Sequence, residues 1–137
     1  METYQQLKER QQKEFNNLPI KFAFGNEQFK KAMSEIGLKV TDTDKIYGLG
    51  GTGGFYKRTD SQKIKEYFTR SRKELKEAMK DKEFSYQAFS YELANHEYVI
   101  TQDIEETLTA LGLEFEDIKN NEELKKSLDK ALKKYNK

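Results

Sequence analysis

Five of the chain's eight glycines fall within seven positions, Gly48 to Gly54, inside the stretch "KIYGLGGTGGFYKR". Glycine weakens a helix interior and reaches positive φ without a steric penalty. A helix cannot run through this stretch. The flanking "KIYGL" and "FYKR" carry β-branched and aromatic residues, so the pattern predicts strand, glycine tip, strand: a hairpin with a long flexible tip.

"GLGGTG", Gly48 to Gly53, also matches G-x-G-x-x-G. A dinucleotide fingerprint needs a helix to open at its glycines, so that amides and dipole meet the pyrophosphate. Here "FYKR" reads as strand. A Walker loop needs Lys then Ser or Thr after Gly53, where Gly54 and Phe55 stand. Three readings remain open: a nest of glycine amides that holds a phosphate or nucleotide with Lys45, Lys57 and Arg58, a loop that touches a protein, and a plain bend. The candidate binding residues are Lys45, Tyr47, Gly48, Gly50, Gly51, Gly53, Gly54, Tyr56, Lys57 and Arg58.

A length of 137 residues predicts a single domain over 1–137, with residues 1–18 as a peripheral N-terminal helix, docked or partly free. Mean hydropathy is −1.00, which alone would suggest disorder. Eight Tyr and nine Phe offset it, since each buried ring removes roughly 150–250 Å² from water. With no cysteine, disulfides, thiol chemistry and Cys-based zinc sites are excluded. No apolar run approaches the roughly 20 residues that span a bilayer, and "METYQQLKERQQKEF" has no apolar h-region. A cytoplasmic protein is expected.

Past the N-terminal helix, stopped by Pro19, "IKFAFG" alternates Ile20, Phe22 and Phe24 on one face as a strand, and Asn26 caps a helix on Phe29, Met33 and Ile36 that Gly37 closes. Thr59 and Gln62 have capping-box spacing at the head of a helix through about Lys80. "EFSYQAFSYELANH" is apolar on most sides and predicts a central core helix. "EYVIT" reads as a short strand, Asp103 starts a helix closed by Gly112, and the tail is amphipathic on Leu124, Leu128, Ala131 and Tyr135. The expected fold is α+β: a small, mainly antiparallel sheet of three to four strands with about five to six helices packed on it.

Net charge of +1 is segmented: residues 57–82 carry ten basic against five acidic groups, and 83–123 carry one against eleven. Such blocks neutralise one another or present patches to partners. The basic helix carries no nucleic-acid-binding signature, so binding of duplex nucleic acid alone is not expected. The sole histidine, His96, lacks companions for the common His-based metal sites, and no nucleophile-elbow pattern accompanies it. It reads as a helix C-terminal residue near the last carbonyls. No catalytic residue, metal or cofactor is assigned.

"FNNLPIKFAFGNEQF", "KIYGLGGTGGFYKRTD" and "YELANHEYVITQDIEETLTALG", in that order, resemble an uncharacterised family of small proteins from phages and other mobile elements of Firmicutes. The resemblance spans roughly residues 4 to 135 and carries no assigned activity. It implies a setting in which small cysteine-free proteins act by binding. The expected function is a non-catalytic, anti-CRISPR-like antagonist of host defence that contacts a host protein or ribonucleoprotein complex. The alternative is a nucleotide-sequestering binder built on the glycine tip.

Overall fold

A computed structural model describes residues 1–136. Its elements, in order, are α1 (Tyr4–Asn16), β1 (Lys21–Phe22), α2 (Asn26–Glu35), β2 (Ile46–Leu49), β3 (Gly54–Lys57), α3 (Ser61–Ala78), α4 (Lys82–Asn95), α5 (Tyr98–Thr101), α6 (Glu105–Ala110), α7 (Phe115–Lys119) and α8 (Glu122–Tyr135), with short 3-10 turns before β2 and α3. The fold is α+β, as expected. The chain forms two compact units: residues 13–69, and residues 1–12 together with the chain from Arg70 onward.

The smaller unit holds the antiparallel sheet, in the order β1-β3-β2. Lys21 and Phe22 stand opposite Phe55 and Gly54, and Ile46 to Leu49 opposite Lys57 to Gly54. Side chains alternate between faces. Phe55 therefore points to one face, where it meets Phe29 at 5.2 Å between ring centroids and packs with Ala32 and Met33 of α2. Lys21 shares that face and pairs with Glu35 of α2 at 2.7 Å. Phe22, Tyr47 and Tyr56 point to the other, where Phe22 lies against Phe15, itself packed on Tyr67 and Phe68.

In the larger unit α4 is the axis. Phe84, Ala88, Phe89 and Leu93 are buried on several of its sides, as its composition predicts. Small residues let α8 come close: Ser85 donates a 2.7 Å hydrogen bond to Ser127, with Ala88 and Ala131 also fully buried. Leu128 of α8, Leu108 of α6, Leu111 after it, and Tyr4 and Leu7 of α1 complete the core.

Both glycine C-caps form as predicted. Gly37 (φ +78°) and Gly112 (φ +69°) turn the chain so that Leu38 N–H reaches Met33 O at 2.9 Å and Leu113 N–H reaches Leu108 O at 2.8 Å.

Other local expectations change. "EYVIT" is not a strand but the helical turn α5, between Glu97 and Gln102, both at positive φ (55° and 58°). Tyr98 is buried while Val99 and Ile100 are both exposed, a pattern no alternating strand gives. Gln102 Nε2 donates to the carbonyls of Tyr98 and Val99, holding the turn closed. The sheet thus stops at three strands, and the short α5 and α7 raise the helix count to eight among the described residues. Asn26 is the first residue of α2 rather than its cap: Gly25 holds that place, and Gln28 Oε1 accepts from Phe24 N–H at 2.8 Å. Thr59 lies in the 3-10 turn, and α3 begins at Ser61.

Burial predicts a clear contrast. Phe89→Ala should lower unfolding stability by about 3–5 kcal/mol, and Phe115→Ala, at 58% exposure, by less than about 0.5 kcal/mol, both read by urea denaturation.

Candidate functional site

The hairpin tip is shorter and better tied than its glycines suggest. Between the paired Leu49 and Gly54 lie only four residues. Leu49 O accepts from Thr52 N–H at 3.1 Å and from Thr52 Oγ1 at 2.6 Å, and Gly51 takes φ +75° at the third position of that turn. Thr52 Oγ1 then accepts from Gly54 N–H at 3.1 Å.

The five glycines have different reasons. A Cβ on Gly53 (φ +77°) would fall 2.7 Å from Phe24 Cε1 and 3.1 Å from Ala23 O. One on Gly54 would fall 2.8 Å from Phe22 Cε1. Two rings of the β1 segment therefore lie directly on two tip glycines, where any side chain would displace them. Gly50 and Gly51 have open space around the same position, and at Gly48 the nearest atom is 3.9 Å away.

The candidate residues separate into groups. Tyr47 and Tyr56 are cross-strand partners with ring centroids 6.1 Å apart, and the Arg58 guanidinium sits 4.6 Å from the Tyr47 centroid. Arg58 Nε also donates to Ile46 O at 3.3 Å. The cation–π contact and this bond hold the guanidinium over an exposed ring. Lys57 is opposite Ile46 and points to the α2 face, away from that pair. Lys45 lies before β2 and is 3.7 Å from Asp42. At about 3.3 Å per strand residue, the Arg58 backbone is about 13 Å from Gly54. The structure thus does not gather Lys45, Lys57 and Arg58 around the glycine amides.

Composition gave no hint of the exposed aromatic group. Phe24 is 77% exposed although its ring covers Gly53, and Phe22 and Tyr47 are each 43% exposed. Only a third of the expected row, Ile20, is partly buried.

A second polar constellation lies in the larger unit and was not foreseen. Glu92 is fully buried; it accepts from Tyr4 Oη at 2.7 Å and from Lys8 Nζ at 2.6 Å. Burial pushes its carboxyl up, but the Lys8 ammonium and the Tyr4 hydroxyl outweigh it and hold the group below the ordinary glutamate value. Burial, and then Glu92, push the Tyr4 hydroxyl well up, so it stays a donor. Lys8 also lies 4.9 Å over the Tyr91 ring. The cluster ties α1 to α4 and has the form of a structural latch. His96, the C-cap of α4 as expected, has Nε2 3.3 Å from Glu92 and Nδ1 3.2 Å from Glu106. A cavity of about 490 Å³ beside it is lined by Asp103, Glu105, Glu106 and Thr109. No metal-ligand cluster occurs among the described residues.

Two outcomes follow. Gly53→Ala should destabilise by about 1–3 kcal/mol through collision and a left-handed backbone, and Gly50→Ala should be neutral or slightly stabilising, as measured by thermal unfolding. The Glu92 carboxyl is depressed in the folded state, so its contribution is complete above the ordinary value of 4.5 and fades as pH falls through the folded value. Urea titrations from pH 7 to pH 3 should show this part of the acid loss in the parent and not in Glu92→Gln.

No helix among the described residues is long and apolar enough to cross a membrane. Neither the curated proteins nor the solved structures contain a match to the chain. Residues 3–134 match the family of unknown function DUF7659. With the whole arrangement of hairpin, core helix and tail inside that match, the chain belongs to the DUF7659 family.

Proposed function

We propose that this chain is a non-catalytic binding protein that acts through protein contacts, and that the open side of its hairpin is a contact surface. The observation that carries this reading is the stack of Arg58 on the exposed Tyr47 ring at 4.6 Å. Arg58 makes no ion pair among the described residues, so its remaining N–H groups are available to a partner's carboxylates or carbonyls. Tyr and Arg are the residues that most often dominate binding energy at protein interfaces. Here the arginine is already restrained, which lowers the entropy lost on binding. Phe22 and Phe24, both solvent-exposed rings of the same hairpin unit, add apolar area without further ordering.

The spread of the cations along the hairpin favours a contact surface over a phosphate cradle. The nucleotide-binding alternative has the open space around Gly50 and Gly51 in its favour but lacks a cation beside them. The resemblance to mobile-element proteins supports a cytoplasmic host protein or ribonucleoprotein complex as the partner, and antagonism of host defence as the role.

The test is affinity capture from the host with parent, Tyr47→Ala and Arg58→Glu proteins, followed by titration of whatever partner is recovered. Each substitution should weaken binding by about 2 kcal/mol, roughly thirtyfold in Kd, and leave the melting temperature unchanged. Unaltered affinity for every recovered partner would overturn the hairpin as contact surface.

A further inference from the structure

The larger unit contains a groove that neither the hairpin nor the Glu92 cluster uses. Its volume is about 510 Å³. Leu75 of α3 and Met79 just past its end, Leu111 and Leu113 around the Gly112 turn, and Leu124 of α8 form its walls. Met79 and Leu111 are buried at its base, with 5% and 3% exposure. The Gly112 cap generates the shape: the left-handed turn sends Leu113 back beside Leu108 and leaves the α6–α7 connection as one bank.

The other bank is α3, and it is cationic. Arg72 and Lys76 of α3, and Lys80 in the turn just past its end, follow one another at four-residue spacing and line the same side of the groove. At a rise of 1.5 Å per residue Arg72 and Lys76 stand about 6 Å apart along α3, and Lys80 continues the row beyond the helix end. Lys80 is 3.2 Å from Glu77, whereas Arg72 and Lys76 form no ion pair among the described residues. The one carboxylate on the opposite bank, Asp117, is occupied with the Glu114 N–H at 2.8 Å.

Two features select the class of occupant. No aromatic ring lines the groove, so it offers no stacking platform for a nucleobase. The positive charge extends along the end of α3 and into the turn after it rather than converging on a point, which suits several carboxylates in register better than a single anionic head group. We infer that the Leu75–Leu124 groove docks an acidic amphipathic helix of a partner protein, its leucine-type side chains on Met79 and Leu111 and its carboxylates along Arg72, Lys76 and Lys80. This is the helix-in-groove mode, with charge fixing the direction of approach. It is independent of the hairpin reading.

Methionine supplies a direct probe, because the chain has three, Met1, Met33 and Met79, and Met33 belongs to the other unit. The intact protein, labelled at its methionine methyls, is titrated with a fluorescein-tagged peptide of about 15 residues, long enough to form a helix. The peptide carries leucines at i, i+3, i+4 and i+7, with glutamates on the flanks. A control peptide replaces each glutamate with lysine. The acidic peptide should shift the Met79 methyl and leave Met33 in place. Fluorescence anisotropy should show binding at least tenfold tighter than for the control, weakened by salt. Lys76→Glu combined with Arg72→Glu, both exposed positions, should reduce affinity roughly tenfold with an unchanged circular dichroism spectrum. Equal binding of the two peptides, or an unmoved Met79, would overturn the inference. So would a Met79 shift produced by dodecanoate but not by the peptide, which would assign the groove to small amphiphiles. A Met79 shift that depends on protein concentration alone would assign it to a second copy of the chain and likewise overturn it.

Discussion

Two phenyl rings resting on two glycines govern the smaller unit. Phe22 and Phe24 occupy the space that Cβ atoms at Gly54 and Gly53 would take, with clearances of 2.8 and 2.7 Å to a built Cβ. The contact does more than fill volume. Ala23 N–H donates to Gly53 O at 3.0 Å between the two rings, so backbone and side chains together fasten the β1 segment to the tip. A two-residue strand has little pairing energy of its own. With the rings in place, the register Lys21 to Phe55 is fixed, and a slip of one residue would bring Phe55 off Met33 and Phe29. On the other edge of β3, the β2–β3 register sets Tyr47 beside Tyr56 and carries Arg58 onto the exposed ring.

The larger unit depends on polarity at its centre. A carboxylate with no exposed surface is unfavourable in a core unless it is paired and hydrogen-bonded. Glu92 satisfies both conditions with Tyr4 and Lys8, and both partners come from α1. Tyr4 buries its ring among Phe84 and Tyr91 while its hydroxyl reaches the carboxylate, so the aromatic contact and the hydrogen bond need the same helix position. The polar N-terminal helix, with few apolar residues of its own, is thereby ordered by chemistry rather than by hydrophobic area.

Much of the fold was legible because the signals were local. The glycine C-caps at Gly37 and Gly112, the buried helix of "EFSYQAFSYELANH" and the amphipathic tail are written in spacings of three and four residues. The hairpin was legible for the same reason. "YVIT" misled because β-branched residues suggest a strand, whereas a buried Tyr98 and the Gln102 side chain close it into a turn. The tip glycines were readable as unusual, but not the cause at Gly53 and Gly54, since the colliding rings lie about thirty positions earlier in the chain. Glu92 gave no sign at all: its α1 partners, Lys8 and Tyr4, are 84 and 88 residues away. The groove was partly visible. The cations of "RSRKELKEAMK" do not all share a face, yet Arg72, Lys76 and Lys80 line one groove, and only the α6–α7 turn makes that subset significant.

A contact surface held ready before any partner arrives is the centre of this account, and backbone 15N relaxation of the free protein tests it most directly. Order parameters for Gly50 to Gly54 should match those of β2 and β3, near the value of about 0.85 typical of rigid backbone. Values below about 0.6 across the tip, with Phe24 ring signals averaged as in solvent, would contradict it and return the glycines to the role of a mobile loop.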